Sequence, residues 1–203
     1  NQSAFNGDLG LSTELFPHPS GDCTLAQKEC MQAPNGNSKH LDNLEVSKDQ
    51  MMLLDQYVAL SMPPAMRNLD EPWFRPAKQI FDDLNCASCH RPKLSTGSSQ
   101  FSVLSNRDFY PFTDMLLHDM GPGLANGFPV LNATSQEWRT APLWGIGLSE
   151  SVSGRNGFLH DGRARTVEEA ILWHGGEAQA SKDAYKSLNA KQRTLFVRFL
   201  ESL

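Results

Sequence analysis

The sequence lacks a surplus of basic residues, any run of Lys and Arg, and any long apolar stretch. Eighteen Lys and Arg stand against 23 Asp and Glu, a net charge of −5. Phosphate contacts need clustered cations, so no nucleic-acid partner is expected. The longest apolar stretches, such as Met51-Met52-Leu53-Leu54, fall far short of the roughly 20 residues that a membrane-spanning helix takes. An opening Met is missing, as is a basic-then-apolar leader; the chain starts Asn1-Gln2-Ser3-Ala4-Phe5. The expectation is a processed protein or, in preference, a piece of a longer one. Hydrophobic residues make up only 39% of the 203, enough for one core, and 15 Gly with 12 Pro point to irregular connections.

Cysteine is scarce too, and its four copies form two unlike pairs. Cys86-Ala87-Ser88-Cys89-His90 is a C-x-x-C-H, the attachment site of a c-type haem. Two thiols reach two vinyl groups on one porphyrin edge, and the next residue turns its imidazole to the iron, which makes His90 the proximal ligand. Chance gives this pattern about 0.002 times in a chain of this length and composition. A zinc site would need two more ligands from a second C-x-x-C or an H-x₃₋₅-H, and neither is present. Cys23 and Cys30 lie in a Gly-, Pro- and Asn-rich segment and are expected to form a disulfide. Haem attachment and a disulfide both suit an oxidising compartment such as the bacterial periplasm.

Residues 1–42 are poor in apolar residues and are expected to be an extended arm, with a haem domain over 43–203. Ser47 with Gln50 predicts a helix start, followed by Met51, Leu54, Val58 and Met62 at helical spacing and a stop at Pro63-Pro64. A second helix, from Pro72 or Pro76 to Leu84, runs into the C-x-x-C-H and buries Phe74, Ile80, Phe81 and Leu84. Thr113 is expected to cap a short helix through His118. The glycines and prolines of 120–158 exclude regular helix and suit a stretch that wraps a flat cofactor. Thr166 with Glu169 starts a helix that ends at Gly175-Gly176, and Asn189 with Gln192 starts the last one. The fold class is mainly α, with long irregular loops.

Haem iron often takes a second axial ligand, usually His or Met. The candidates are His118, Met120, His160 and His174. His174 leads, because it ends a capped helix beside Trp173 and precedes two glycines that would allow close approach to a porphyrin. The plainer reading is a surface histidine at a helix C-terminus. Arg139, Arg155, Arg163 and Arg165 can pair with haem propionates or stand as solvated charges.

At this point the sequence resembles a known family. The carriers are Cys86–His90, then Tyr110-Pro111-Phe112-Thr113-Asp114-Met115-Leu116-Leu117-His118-Asp119-Met120-Gly121 and Trp138-Arg139-Thr140-Ala141-Pro142-Leu143-Trp144-Gly145. Phe158-Leu159-His160-Asp161-Gly162-Arg163 and Thr166–Ile171 complete them. These blocks, over about residues 74–175, resemble the bacterial di-haem cytochrome c peroxidase superfamily, and most closely its branch of di-haem or thiol oxidoreductases. In that family the histidine of the F/Y-x-H-D/S-G turn, here His160, lies near the C-terminal haem. The sixth ligand follows fourteen residues later, and here that position is His174. The relatives carry Met or Tyr there. The resemblance therefore implies a cytochrome c-like fold with His90 and His174 as axial ligands and Met120 as the runner-up.

Family members have two haem domains, and this chain has one C-x-x-C-H. The expectation is the C-terminal, electron-transfer part of a periplasmic di-haem oxidoreductase, carrying one covalent haem c. Its partners would be an N-terminal haem domain of the same protein and a small redox electron donor. This part alone is expected to show little catalysis. Two competing readings are a stand-alone mono-haem carrier and a thiol–disulfide oxidoreductase using Cys86 and Cys89, which would need a free thiolate of low pKa.

Overall fold

The computed structural model describes every residue except 156. The described residues are mainly helical, with eight helices and two small antiparallel strand pairs. They form two compact units, Asn1–Met62 and Pro63–Leu203. By compactness the division lies between Met62 and Pro63, later in the chain than the 42/43 boundary expected from composition. The helix expected to open the haem domain belongs instead with the N-terminal segment.

That first unit is folded more fully than an arm. It holds α1 (Gln2–Gly7), α2 (Lys28–Met31) and α3 (Lys48–Leu60). With little apolar matter to bury, it is organised around polar groups. The Glu45 carboxylate accepts the backbone N–H of Ser12 at 2.9 Å and of Gly36 at 2.8 Å, tying together three stretches of loop. Ser12 and Thr13 are fully buried, and Cys23 and Cys30 are joined by a disulfide. The Ser47–Gln50 capping box opens α3 as expected. Of its apolar row only Met51 is buried; Val58 and Met62 are exposed.

The second unit is built on aromatic packing. Helix α4 (Phe74–Asp83) lies against α8 (Ala190–Leu200), whose Asn189–Gln192 capping box forms as expected. Phe199 packs edge-on against Phe74 at 5.3 Å and near Phe81 at 5.5 Å between ring centroids. Phe112 closes the cluster, edge-on to Phe81 at 5.9 Å. Tyr185, from α7 (Gln179–Lys186), meets Phe196 at 5.6 Å and donates its hydroxyl to Glu168 at 2.8 Å. Helix α6 (Val167–Trp173) starts where the Thr166 hydroxyl accepts the Glu169 N–H, as the sequence predicts.

Between these helices run β1 (Leu94–Ser95) with β2 (Asp108–Phe109), and β3 (Leu117–Asp119) with β4 (Glu137–Arg139). Strand β3 replaces the helix expected after Thr113, and local hydrogen bonding explains why. The Thr113 hydroxyl donates to the Thr140 carbonyl and accepts the Met115 N–H, while Asp114 accepts the Leu116 N–H. Phe112 and Met115 both sit at positive φ. Side chains thus supply partners that a first helical turn would leave unused, and the chain turns into a strand. In the glycine-rich stretch one short helix forms, α5 (Ser149–Ser153), where none was expected.

Candidate functional site

Helix α4 ends at Asn85, which takes the left-handed conformation at φ 60°, and the chain tightens into a 3₁₀ turn over Cys86–Ser88. The turn closes when the His90 N–H donates to the Cys86 carbonyl at 3.0 Å. Cys86 faces the core below α4, and burial pushes its thiol up to about 12. Cys89 is raised as well, again by burial. These surroundings are the opposite of what an attacking thiolate requires.

Backbone carbonyls hold the His90 ring, that of Phe112 first and that of Ala141 second. Its Nδ1 lies 3.0 Å from the Phe112 carbonyl, an acceptor only, so Nδ1 carries the proton and Nε2 is left with its lone pair. Phe112 reaches that position at φ 54°, a conformation an aromatic residue rarely adopts. Its ring is held in the aromatic core, so the packing that buries Phe112 also aims its carbonyl at His90. Burial lowers the His90 pKa to about 4, and the imidazole is neutral at pH 7.

His174 is built in the same way from another element. It is the residue after α6, and its Nδ1 donates to the Ala170 carbonyl at 2.8 Å, which again leaves Nε2 unprotonated. Burial lowers its pKa too. The following glycines do a different job from the one expected. A side chain on Gly175 would press on the Met120 carbonyl, and one on Gly176, at φ 51°, would collide with the Asp119 carbonyl. They admit the backbone of β3 and thereby fix where α6 ends.

The centroids of the two imidazole rings lie 6.4 Å apart, with the ring planes inclined at 48°. A metal bonded to one nitrogen of each ring at about 2.0 Å, on opposite sides, would place the ring centres roughly 6.3 Å apart. The separation and the two unprotonated nitrogens therefore fit a single metal between the rings, with the Cys86 and Cys89 thiols on the same turn as His90. The chemistry of these four side chains suits a haem.

The remaining predicted residues are placed less directly. His160 stacks flat on Trp138, 3.5 Å between centroids and 15° between planes. Arg163 is already engaged: it bonds Asp161 at 2.7 Å and the Gly123 carbonyl at 2.7 Å, and its guanidinium lies over the Trp173 ring. It holds the His160 turn and the end of α6 in place. Arg139 is exposed at the end of β4, and Arg165 pairs with Glu169. Met120 follows β3, and its N–H donates to the Gln136 carbonyl at 2.9 Å.

A second histidine cluster adjoins the Cys89 sulfur. His118 lies between two carboxylates, with Nε2 2.8 Å from Asp114 and Nδ1 2.8 Å from Glu177. Those bonds, Glu177 first and then Asp114, raise the His118 pKa. Glu177 is held low chiefly by His118, while at Asp114 hydrogen bonds from Leu116, His118 and Thr140 outweigh an opposing burial effect. Glu177 also accepts the Asp119 N–H at 3.0 Å, so the segment after His174 clasps β3. Phe112, Asp114 and Glu177 escaped the sequence reading as functional residues. The Gly-Gly before Glu177 hinted at a close approach, but only the fold reveals to what.

No curated protein and no solved structure matches the chain. The family described as di-haem oxidoreductase, putative peroxidase, matches residues 1–203 in full, including the N-terminal segment and last helix where the blocks quoted above give little support. On that match, and with a site whose residues suit a haem, the chain belongs to the di-haem oxidoreductase family.

Proposed function

We propose that this chain is the c-type haem-bearing, electron-transfer part of a periplasmic, peroxidase-like di-haem oxidoreductase. The observation that carries the reading is the His90–His174 pair, 6.4 Å between ring centres with each Nδ1 committed to a backbone carbonyl. Cys86 and Cys89 would form the thioether bonds, and His90 and His174 would be the axial ligands. When bound, the haem supplies one-electron chemistry at iron. The chain fixes both imidazoles in the tautomer that presents Nε2, and a metal with both axial positions filled has no vacancy for peroxide. The domain would therefore pass electrons, and substrate chemistry would fall to a second haem on another segment of the same protein. Two imidazoles lack the thioether ligand that raises haem potentials, which suits a low-potential relay.

Other residues support that role. The unit's cytochrome c-like character rests on the turn that runs from α4 into the C-x-x-C-H and on the α4–α8 packing behind it. His160 and Arg163 brace the wall beside α6, and exposed Arg139 is available to a propionate. The Cys23–Cys30 disulfide together with the haem motif supports the periplasm.

The test is co-expression with a c-type maturation system and export, followed by intact mass and a pyridine-haemochrome spectrum. One haem-sized mass increment with a c-type spectrum is expected, and His174→Ala should abolish the six-coordinate low-spin spectrum. Export of folded protein with no haem would overturn the reading, and an unchanged spectrum in His174→Ala would move the sixth ligand to Met120 or His118.

A further inference from the structure

We propose that the chain, before haem is attached, binds a divalent cation of the zinc class through Cys89 Sγ and His118 Nδ1, with the Glu177 carboxylate as the third ligand and Asp114 orienting the imidazole from Nε2. Among the described residues, Cys89, Asp114 and His118 form the one group of three or more His, Cys, Asp or Glu whose ligating atoms all lie within 4.8 Å of one another. Cys89 Sγ is 3.8 Å from His118 Nδ1. With a metal–sulfur bond of about 2.3 Å and a metal–nitrogen bond of about 2.0 Å, one edge of a tetrahedral site is roughly 3.5 Å long. Two ligands are thus placed almost as a metal would need them, on residues 29 positions apart in sequence.

The histidine is also prepared for a metal. Asp114 Oδ2 holds Nε2 at 2.8 Å, which turns Nδ1 toward Cys89 and Glu177. A carboxylate on one imidazole nitrogen and a metal on the other is the usual arrangement of metal-binding histidines. Glu177 Oε2 already lies 2.8 Å from Nδ1, so it can take the metal in place of the proton it now shares. The mixture of one sulfur, one nitrogen and carboxylate oxygen suits zinc or cobalt(II) better than the all-oxygen preference of magnesium or calcium. Binding releases two protons to solvent, that of the Cys89 thiol and the one His118 Nδ1 shares with Glu177. The sequence alone argued against a zinc site, because no second ligand pair stands near the C-x-x-C. The fold supplies the missing ligands from β3 and the segment after α6, and the carboxylate that orients the histidine from the loop before β3.

The site and the haem compete for one sulfur, and this part of the inference rests on the proposed function. A thioether bond at Cys89 removes the thiolate and with it the metal site. Conversely, a metal-loaded chain withholds Cys89 from haem attachment and from pairing with Cys86.

The experiment is a titration of the reduced, haem-free full chain with Co²⁺, stripped of other metals beforehand. A thiolate-to-cobalt charge-transfer band that saturates at one equivalent and is displaced by Zn²⁺ is expected. Cys89→Ser should remove the band, Cys86→Ser should keep it, and Asp114→Asn should weaken binding by about tenfold or more. Absence of the band in the unaltered chain, whether or not circular dichroism shows it folded, overturns the proposal. So does a band that survives Cys89→Ser. In haem-loaded protein the band should be absent. A band there defeats the thioether at Cys89 while the metal site stands, which separates failure of the haem reading from failure of this one.

Discussion

His90 and His174 lie with ring centres 6.4 Å apart in partly buried positions, each with one nitrogen on a backbone carbonyl and the other unprotonated. His118, in contact with the sulfur of Cys89, has both nitrogens taken by carboxylates. Burial lowers the pKa of the first two, and acidic partners raise that of the third. A neutral imidazole can donate a lone pair to a metal, whereas a ring with both nitrogens on carboxylates must first give up one of those partners. Within one site, the company each ring keeps therefore separates two rings held neutral by burial from one drawn toward its charged form by acidic partners.

The largest break in that contrast would come from the core behind His90. Phe199→Ala should destabilise the haem-free chain by about 3–5 kcal/mol, measured by denaturant unfolding, because it empties a buried aromatic site against Phe74, Phe81 and Phe112. A cost under 1 kcal/mol would mean that Phe112, and the carbonyl it presents, is held by something else. Next comes acidification. The folded pKa of His90 lies below the ordinary 6.5, so the unfolded chain takes the proton more readily. Its share of stability is complete above about 6.5, drains as pH falls and is gone near about 4, up to about 3 kcal/mol in all. His118 works in the opposite sense: its raised pKa gives stabilisation that is complete below 6.5 and lost as pH climbs through the folded value. Unfolding at a series of pH values in the haem-free chain should resolve the acid limb, and a flat profile from pH 6.5 to 4 would contradict it.

Smaller changes sharpen the contrast. Gly176→Ala places a methyl group against the Asp119 carbonyl at a positive φ and should cost about 1–3 kcal/mol. The haem-loaded variant should also have a perturbed low-spin spectrum, since the clasp on β3 fixes where His174 lies; a normal spectrum would show that α6 alone positions it. Glu177→Gln should have the least effect on stability, below about 1 kcal/mol, because the carboxylate is largely exposed. Its signature is a fall in the His118 pKa, read by NMR titration, with His90 unmoved.

Much of the second unit was legible in its residues. The C-x-x-C-H located the turn, the capping residues at Thr166 and Asn189 located two helices, and a spacing taken from relatives pointed to His174. The N-terminal segment was harder to read, because a unit held by Glu45, the Ser12 hydroxyl and a disulfide leaves no hydrophobic period to detect. The helix predicted after Thr113 failed because hydroxyl and carboxylate side chains answered the backbone locally, a competition that periodicity does not register.

What the sequence determined by itself is the chemistry carried on contiguous residues: two thiols and an imidazole at fixed spacing, helix ends set by caps, and a modest net negative charge. Only the tertiary structure decided which groups meet. Phe112 reaches His90 from 22 positions away, and Glu177 reaches His118 from 59, through turns at positive φ and glycines that let one backbone pass against another. Such contacts depend on burial and backbone direction summed over the whole unit, and no short stretch of residues encodes them.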